Sequence, residues 1–121
     1  MKKPISRKQH GVAEFGYIPL AAAAPELFGF SGHQRATVLS RSVAAGVLTS
    51  ALTTRAEWGL FKLIPFKIHL AADLTVGLFI ASAPFLFGFA RNKRARNAFL
   101  ALGLTSIVVP LLTQNEEMTH E

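Results

Sequence analysis

Two pairs of residues carry the most evident chemistry in this chain. His10 is followed four residues later by Glu14, and His69 by Asp73. On a helix, residues four apart share one face a turn apart, so each pair sets an imidazole beside a carboxylate. If the two helices pack about a pseudo-two-fold, all four side chains converge. Glu57 could reach the same edge. Three readings stay open for such a cluster. The favoured one is structural: histidine and acid pair with each other, or with backbone and water, and lock two helices together. The second is proton or ion handling, which intramembrane acids often mark. A relay, however, needs polar steps to the far side, and there only Glu26 and Arg41 offer them. The third is a metal held by two imidazoles and two carboxylates, a workable geometry in a bundle. Its spacing is not the Glu-x-x-His of di-iron bundles.

No other chemistry competes. There is no nucleophile with a base at a known spacing, no phosphate-cradling glycine loop and no zinc motif. Cysteine is absent, which removes disulfides and thiolate chemistry. His33 and His120 have no partner nearby in sequence. An enzyme is not expected, nor is a cofactor.

The elements that position the two pairs follow from composition. Among 121 residues half are hydrophobic, only 17% are charged, and the mean hydropathy is +0.34. A soluble domain carries about 25% charged residues. The net charge of +6 and pI near 10.4 would point to nucleic acid in a soluble protein. Here the bases flank apolar runs, as they do beside membrane spans, and no nucleic-acid-binding motif accompanies them. The expected partner is the bilayer, with other membrane subunits or further copies of the chain.

Four runs are long enough to cross a bilayer, which takes about 20 residues. They cover about Val12 to Phe30, Ala36 to Thr53, Pro65 to Phe89 and Arg96 to Leu112. The basic start and "AAAA" at 21–24 imitate a signal peptide, but Glu14 interrupts its apolar core, and the span is expected to be retained. Short connections make the runs two antiparallel hairpins. The link "TRAEWGLFKLI", 54–64, mixes Trp58, Leu60, Phe61 and Leu63 with charges and is expected to form a short interfacial helix. The organisation is thus a basic segment (1–9), a first hairpin (10–53), the linker (54–64), a second hairpin (65–113) and an acidic, exposed tail (114–121).

A shift of 59 residues places His10 on His69, Glu14 on Asp73, and Pro25, Phe28, Gly29 and Phe30 on Pro84, Phe87, Gly88 and Phe89. Nine of 21 gap-free positions are identical. The second helices repeat more loosely. A unit of two spans, used twice, gives a parallel repeat related by an axis along the membrane normal. Both His/acid ends then lie on one side. The fold class is all-α integral membrane: four transmembrane helices in two tandem hairpins.

At this point the chain resembles the SPW-repeat family of small bacterial integral membrane proteins. The residues are "HGVAE" and "HLAAD", "APELFGF" and "APFLFGF", and "LTTRAEWGLFKLIPFKIHL" between the units; they span roughly His10 to Thr113. The tryptophan of the namesake triplet is replaced by Glu26 and Phe85. The resemblance implies a four-helix membrane domain in the bacterial inner membrane and no reaction.

Seven bases on one side face five or six on the other, a bias that places both termini in the cytoplasm only weakly. Glu26 is expected to pair with Arg35 or Arg41 or to meet a partner. Arg91, Lys93, Arg94 and Arg96 form a basic loop that offers a second contact. The function expected is a non-catalytic structural or accessory subunit, or a homo-oligomer, with proton or ion handling as the alternative.

Overall fold

The computed structural model describes residues 3–117. It contains four helices: α1 (Arg7–Leu27), α2 (Gln34–Thr53), α3 (Phe66–Leu86) and α4 (Lys93–Leu112). The helices α2, α3 and α4 are long and apolar enough to cross a membrane. α1 packs mainly on α2, and α3 on α4.

Local chemistry sets the helix starts. Ser6 and Gln9 form a reciprocal capping box at α1, satisfying two N–H groups that the first turn leaves free. At α2 the cap is His33, whose Nδ1 accepts from the Ala36 amide at 3.2 Å, and at α4 it is Asn92. Pro65 stands just before α3 rather than in its first turn. Its lack of an N–H costs nothing there.

The Phe-Gly-Phe blocks end α1 and α3. Gly29 and Gly88 have φ of 76° and 75°, a left-handed conformation that side chains disfavour. The turn brings the Phe30 amide to the Pro25 carbonyl at 2.8 Å and the Phe89 amide to the Pro84 carbonyl at 2.8 Å. This is the six-to-one bond of a Schellman cap. Phe30 and Phe89 are thereby turned into the core, where both rings meet Phe99. The repeated motif is a helix stop that plants an aromatic wedge.

Pro25 also removes the N–H that would bond the Ala21 carbonyl four residues back. Ser40 on α2 supplies the missing donor, with its Oγ 2.6 Å from that carbonyl.

Residues 54–64 do not form the expected interfacial helix. The segment folds back on α2 instead. The Leu60 and Phe61 amides bond the Leu52 carbonyl, and the Leu63 and Ile64 amides bond the Thr53 carbonyl. These are the carbonyls that a helix C-terminus leaves unpaired. Satisfying them competed successfully with a further helix, helped by a left-handed turn at Lys62.

The described part of the acidic tail, residues 114–117, is less free than its composition implies. Gln114 bonds the Ile5 carbonyl, and the Glu117 carboxylate accepts from the Phe66 and Lys67 amides at 2.9 and 2.8 Å. An acid at a helix N-terminus is favoured by the helix dipole. His120 and Lys2 lie outside the described residues.

The end contacts recur at the 59-residue interval. Ile64 pairs with Thr54, and Ile5 with Thr113. Each hairpin's closing threonine thus meets the isoleucine that leads into the first helix of the other.

Candidate functional site

The structure brings His10, Glu14, His69 and Asp73 together between α1 and α3. His10 Nε2 lies 2.8 Å from Glu14 Oε2 and 3.0 Å from Asp73 Oδ2. His69 Nε2 lies 2.9 Å from the same Glu14 oxygen and 3.2 Å from the same Asp73 oxygen. One ligand-capable atom from each of the four residues lies within 4.8 Å of all the others. The ring is closed, with each imidazole serving both carboxylates.

Helical periodicity accounts for the convergence. Each histidine and its acid are one turn apart, on the side of their helix that turns inward, so two helices suffice to build a four-membered site. His69 is fully buried, and His10 and Glu14 nearly so; Asp73 keeps a little exposure, about 9% of the residue.

Three hydroxyls support the rings from outside. Thr113 Oγ1 is 3.1 Å from His10 Nδ1. Thr54 Oγ1 and Ser50 Oγ are 2.7 and 3.1 Å from His69 Nδ1. Thr54 and Thr113 cap the C-termini of α2 and α4, so all four helices contribute to the centre. The two threonines are not among the residues that the sequence alone points to. The signal was present, because Thr54 and Thr113 are themselves 59 residues apart.

An aromatic roof covers the centre. Phe66 stacks on His69 with an interplanar angle of 6°, and Trp58 stands over His10 with its indole N–H on the Arg7 carbonyl at 3.0 Å. Gly11 lets the indole approach: a Cβ there would lie 2.2 Å from Trp58 Cδ1. Trp58 is thus turned toward the polar centre.

Glu14 Oε1 is buried and has no hydrogen-bond partner among the described residues. Such an atom loses its hydration without replacement.

Glu57 does not join the centre. It forms a two-pronged pair with Arg7, Nε to Oε1 at 2.6 Å and Nη2 to Oε2 at 2.9 Å. The Arg7 hydrogen bonds hold its carboxyl below the ordinary glutamate range. Glu26 pairs with Arg41 through Nη2 at 2.7 and 2.6 Å, on the surface. Arg35 donates to the Phe87 carbonyl at 2.6 Å, tying the start of α2 to the end of α3. Arg94 lies against Gly29, and Arg96 Nε meets Asn97. Arg91 and Lys93 stand beside them at the start of α4. The basic loop and the His/acid centre therefore occupy opposite ends of the bundle.

Two crevices flank the centre. One, of about 30 Å³, is bordered by His10, Glu14, Tyr17, Asp73, Ser106 and Pro110. The other, about 330 Å³ and largely apolar, runs between α2 and α3 from Leu39 to Asp73. Comparison of the chain with family models, with curated proteins and with solved structures found no match.

Proposed function

We propose that this chain is a non-catalytic integral membrane protein of four spans, built as two tandem hairpins of SPW-repeat type. It serves as an accessory subunit of a larger membrane assembly or as a self-associating one. The observation that carries this reading is where the polar groups go. The chemistry-bearing side chains at depth face one another, while the helices turn large apolar side chains outward.

α1 is the test of this logic, because its mean composition is too polar for a span. Its His10 and Glu14 face inward, and its outward positions include Val12, at 78% exposure, Leu20 and Leu27. α1 thus turns apolar side chains outward along its middle, as a lipid-facing helix requires. Small-residue packing within the chain is the reading for Gly77 and Ala81, which face Gly103 and Ile107 of α4. The exposed tips Leu60, Phe61 and Leu63 are left for headgroups or a neighbouring subunit.

The proton- or ion-handling reading is supported by the crevice that reaches Asp73. It is weakened at the other end, where Glu26 and Arg41 neutralise each other and offer no free relay group.

The absence of cysteine makes topology directly testable. Single cysteines at Ser6, Ser31, Glu57 and Gln114 are labelled with a membrane-impermeant maleimide in sealed vesicles. Ser6, Glu57 and Gln114 should label from one face, the cytoplasmic one, and Ser31 from the other. Labelling of Ser6 and Ser31 from one face would remove α1 as a span. Native mass spectrometry after gentle extraction then tests the role. Stoichiometric larger subunits or a defined homo-oligomer support it, and a lone monomer overturns it.

A further inference from the structure

The hydroxyls around the centre fix the histidine tautomers. Thr113 Oγ1 donates to the Val109 carbonyl at 2.6 Å, and Thr54 Oγ1 donates to the Ser50 carbonyl at 2.6 Å. A hydroxyl has one proton. Each threonine can therefore only accept from the histidine beside it, so Nδ1 carries hydrogen in both His10 and His69. In a neutral ring, Nε2 is then a bare lone pair. Two such lone pairs face two carboxylate oxygens, all four contacts being 3.2 Å or less. Four electron-rich atoms do not converge in a buried site without positive charge between them.

Two protons or one divalent cation would each balance the two carboxylates, and charge balance is what burial demands. The contact pattern separates the two. Two protons would give only two N–H donors, and each would have to be shared between two oxygens. Here each Nε2 reaches both oxygens almost equally, 2.8 against 3.0 Å for His10 and 2.9 against 3.2 Å for His69. Four near-equal edges, with no two of the four atoms more than 4.8 Å apart, leave between them a point that one ion could occupy. The second Glu14 oxygen is buried and unpartnered; a cation held by Oε2 would offset its lost hydration through charge, without a fifth bond.

We propose that His10, Glu14, His69 and Asp73 bind one divalent first-row transition metal of the zinc class, between the two hairpins. Two imidazole nitrogens and two carboxylate oxygens match the borderline character of zinc and its four-coordinate preference. Zinc bonds of 2.0–2.2 Å imply tetrahedral edges of roughly 3.3–3.6 Å, so the cage opens to admit the ion. Thr54 and Thr113 then act as outer-shell partners that hold each ring's Nδ1–H, the arrangement that usually orients metal-binding histidines. The ion would join α1 to α3 and with them the two hairpins. This goes beyond the accessory reading and does not depend on it, since a subunit can have partners with or without a metal.

The test uses the full-length chain, purified in mild detergent on a histidine-free tag. Metal content is measured by mass spectrometry of the elements, before and after chelation and after re-addition of zinc, iron(II) or manganese(II). One ion per chain is expected, with an unfolding temperature that falls on chelation and recovers on re-addition. X-ray absorption should show four N/O neighbours at roughly 2.0–2.1 Å. Thr113→Val should weaken zinc binding by about 10–100-fold, and Asp73→Asn should abolish stoichiometric loading, while Glu26→Gln leaves it unchanged. No stoichiometric metal as purified or after re-addition overturns the proposal. So does metal retained with unchanged affinity in folded Asp73→Asn and Thr113→Val protein, which would mark an adventitious surface ion. If Asp73→Asn does not fold, the wild-type stoichiometry and its response to chelation decide. Topology and subunit composition are read separately, so loss of the metal and loss of the accessory role are distinguishable.

Discussion

The two hairpins contribute the same chemistry to the centre and different packing around it. Positions 59 residues apart supply His10 and His69, Glu14 and Asp73, Thr113 and Thr54 in matching contacts. Around them the pairs diverge. Tyr17 corresponds to Val76, and Thr105 to Gly46. Tyr17 lies beside its crevice and donates its hydroxyl to the Leu102 carbonyl at 3.0 Å. Val76 and Gly46 occupy less volume, and their crevice is the larger one. Ser40, the polar tie of the first hairpin, corresponds to Phe99, a core ring of the second, and Ala44 corresponds to Gly103. A centre that needs four fixed atoms tolerates little drift. Helix contacts that need only filled volume can be solved in two ways.

The sharpest test of that difference is Gly103. A Cβ there would lie 2.6 Å from the Ala81 amide nitrogen, and backbone cannot move aside as a side chain can. Gly103→Val should destabilise the protein by roughly 1–3 kcal/mol or more through overpacking. The corresponding position already carries the methyl of Ala44, and Ala44→Gly should cost only about 1 kcal/mol, the helix propensity difference. Both are read from thermal or denaturant unfolding in detergent. Equal effects would mean that α3 and α4 are no more closely packed than α1 and α2.

Next in size is the Ser40 hydroxyl. Ser40→Ala leaves the buried Ala21 carbonyl without a donor, a loss of roughly 1–3 kcal/mol. Pro25→Ala restores an N–H that can bond that carbonyl, so in its background the Ser40→Ala effect should shrink. A double-mutant cycle measures the difference. Additive effects would show that the two residues do not serve the same carbonyl. The second hairpin has no counterpart, because Phe99 cannot donate.

The sequence carried the helices and the centre for different reasons. Apolar runs made four helices legible to within about five residues, because length and hydrophobicity are local; α1 starts earlier, at Arg7, where a polar capping box extends it. His10, Glu14, His69 and Asp73 were legible because two copies of one spacing imply one meeting place. Thr54 and Thr113 were harder to see, because a threonine at a helix end reads as an ordinary cap until the opposite histidine is in place. The linker departs from its expected helix for a related reason. Its mixture of apolar and charged residues fits an interfacial helix, but its amides are taken by the Leu52 and Thr53 carbonyls, a demand that only the end of α2 creates. Glu57, expected to reach the cluster, lies at the same end of the bundle but pairs with Arg7 instead.

That pairing gives the smallest predicted effect and the last contrast between the halves. Arg7 corresponds to Phe66, so one half of the centre is bordered by an ion pair and the other by a ring. The Arg7 hydrogen bonds lower the Glu57 carboxyl below its ordinary value. A lowered carboxylate contributes stability above its unfolded-state value, about 4.3, and that contribution disappears as pH falls through the depressed folded-state value. The pair is partly exposed, so the effect should not exceed about 1 kcal/mol, and salt should reduce it further. Unfolding curves of wild type and Glu57→Gln, compared at neutral pH and at pH below the glutamate range, should differ at the first and merge at the second. A difference that persists in acid would assign the contribution of Glu57 to packing against the linker rather than to its charge.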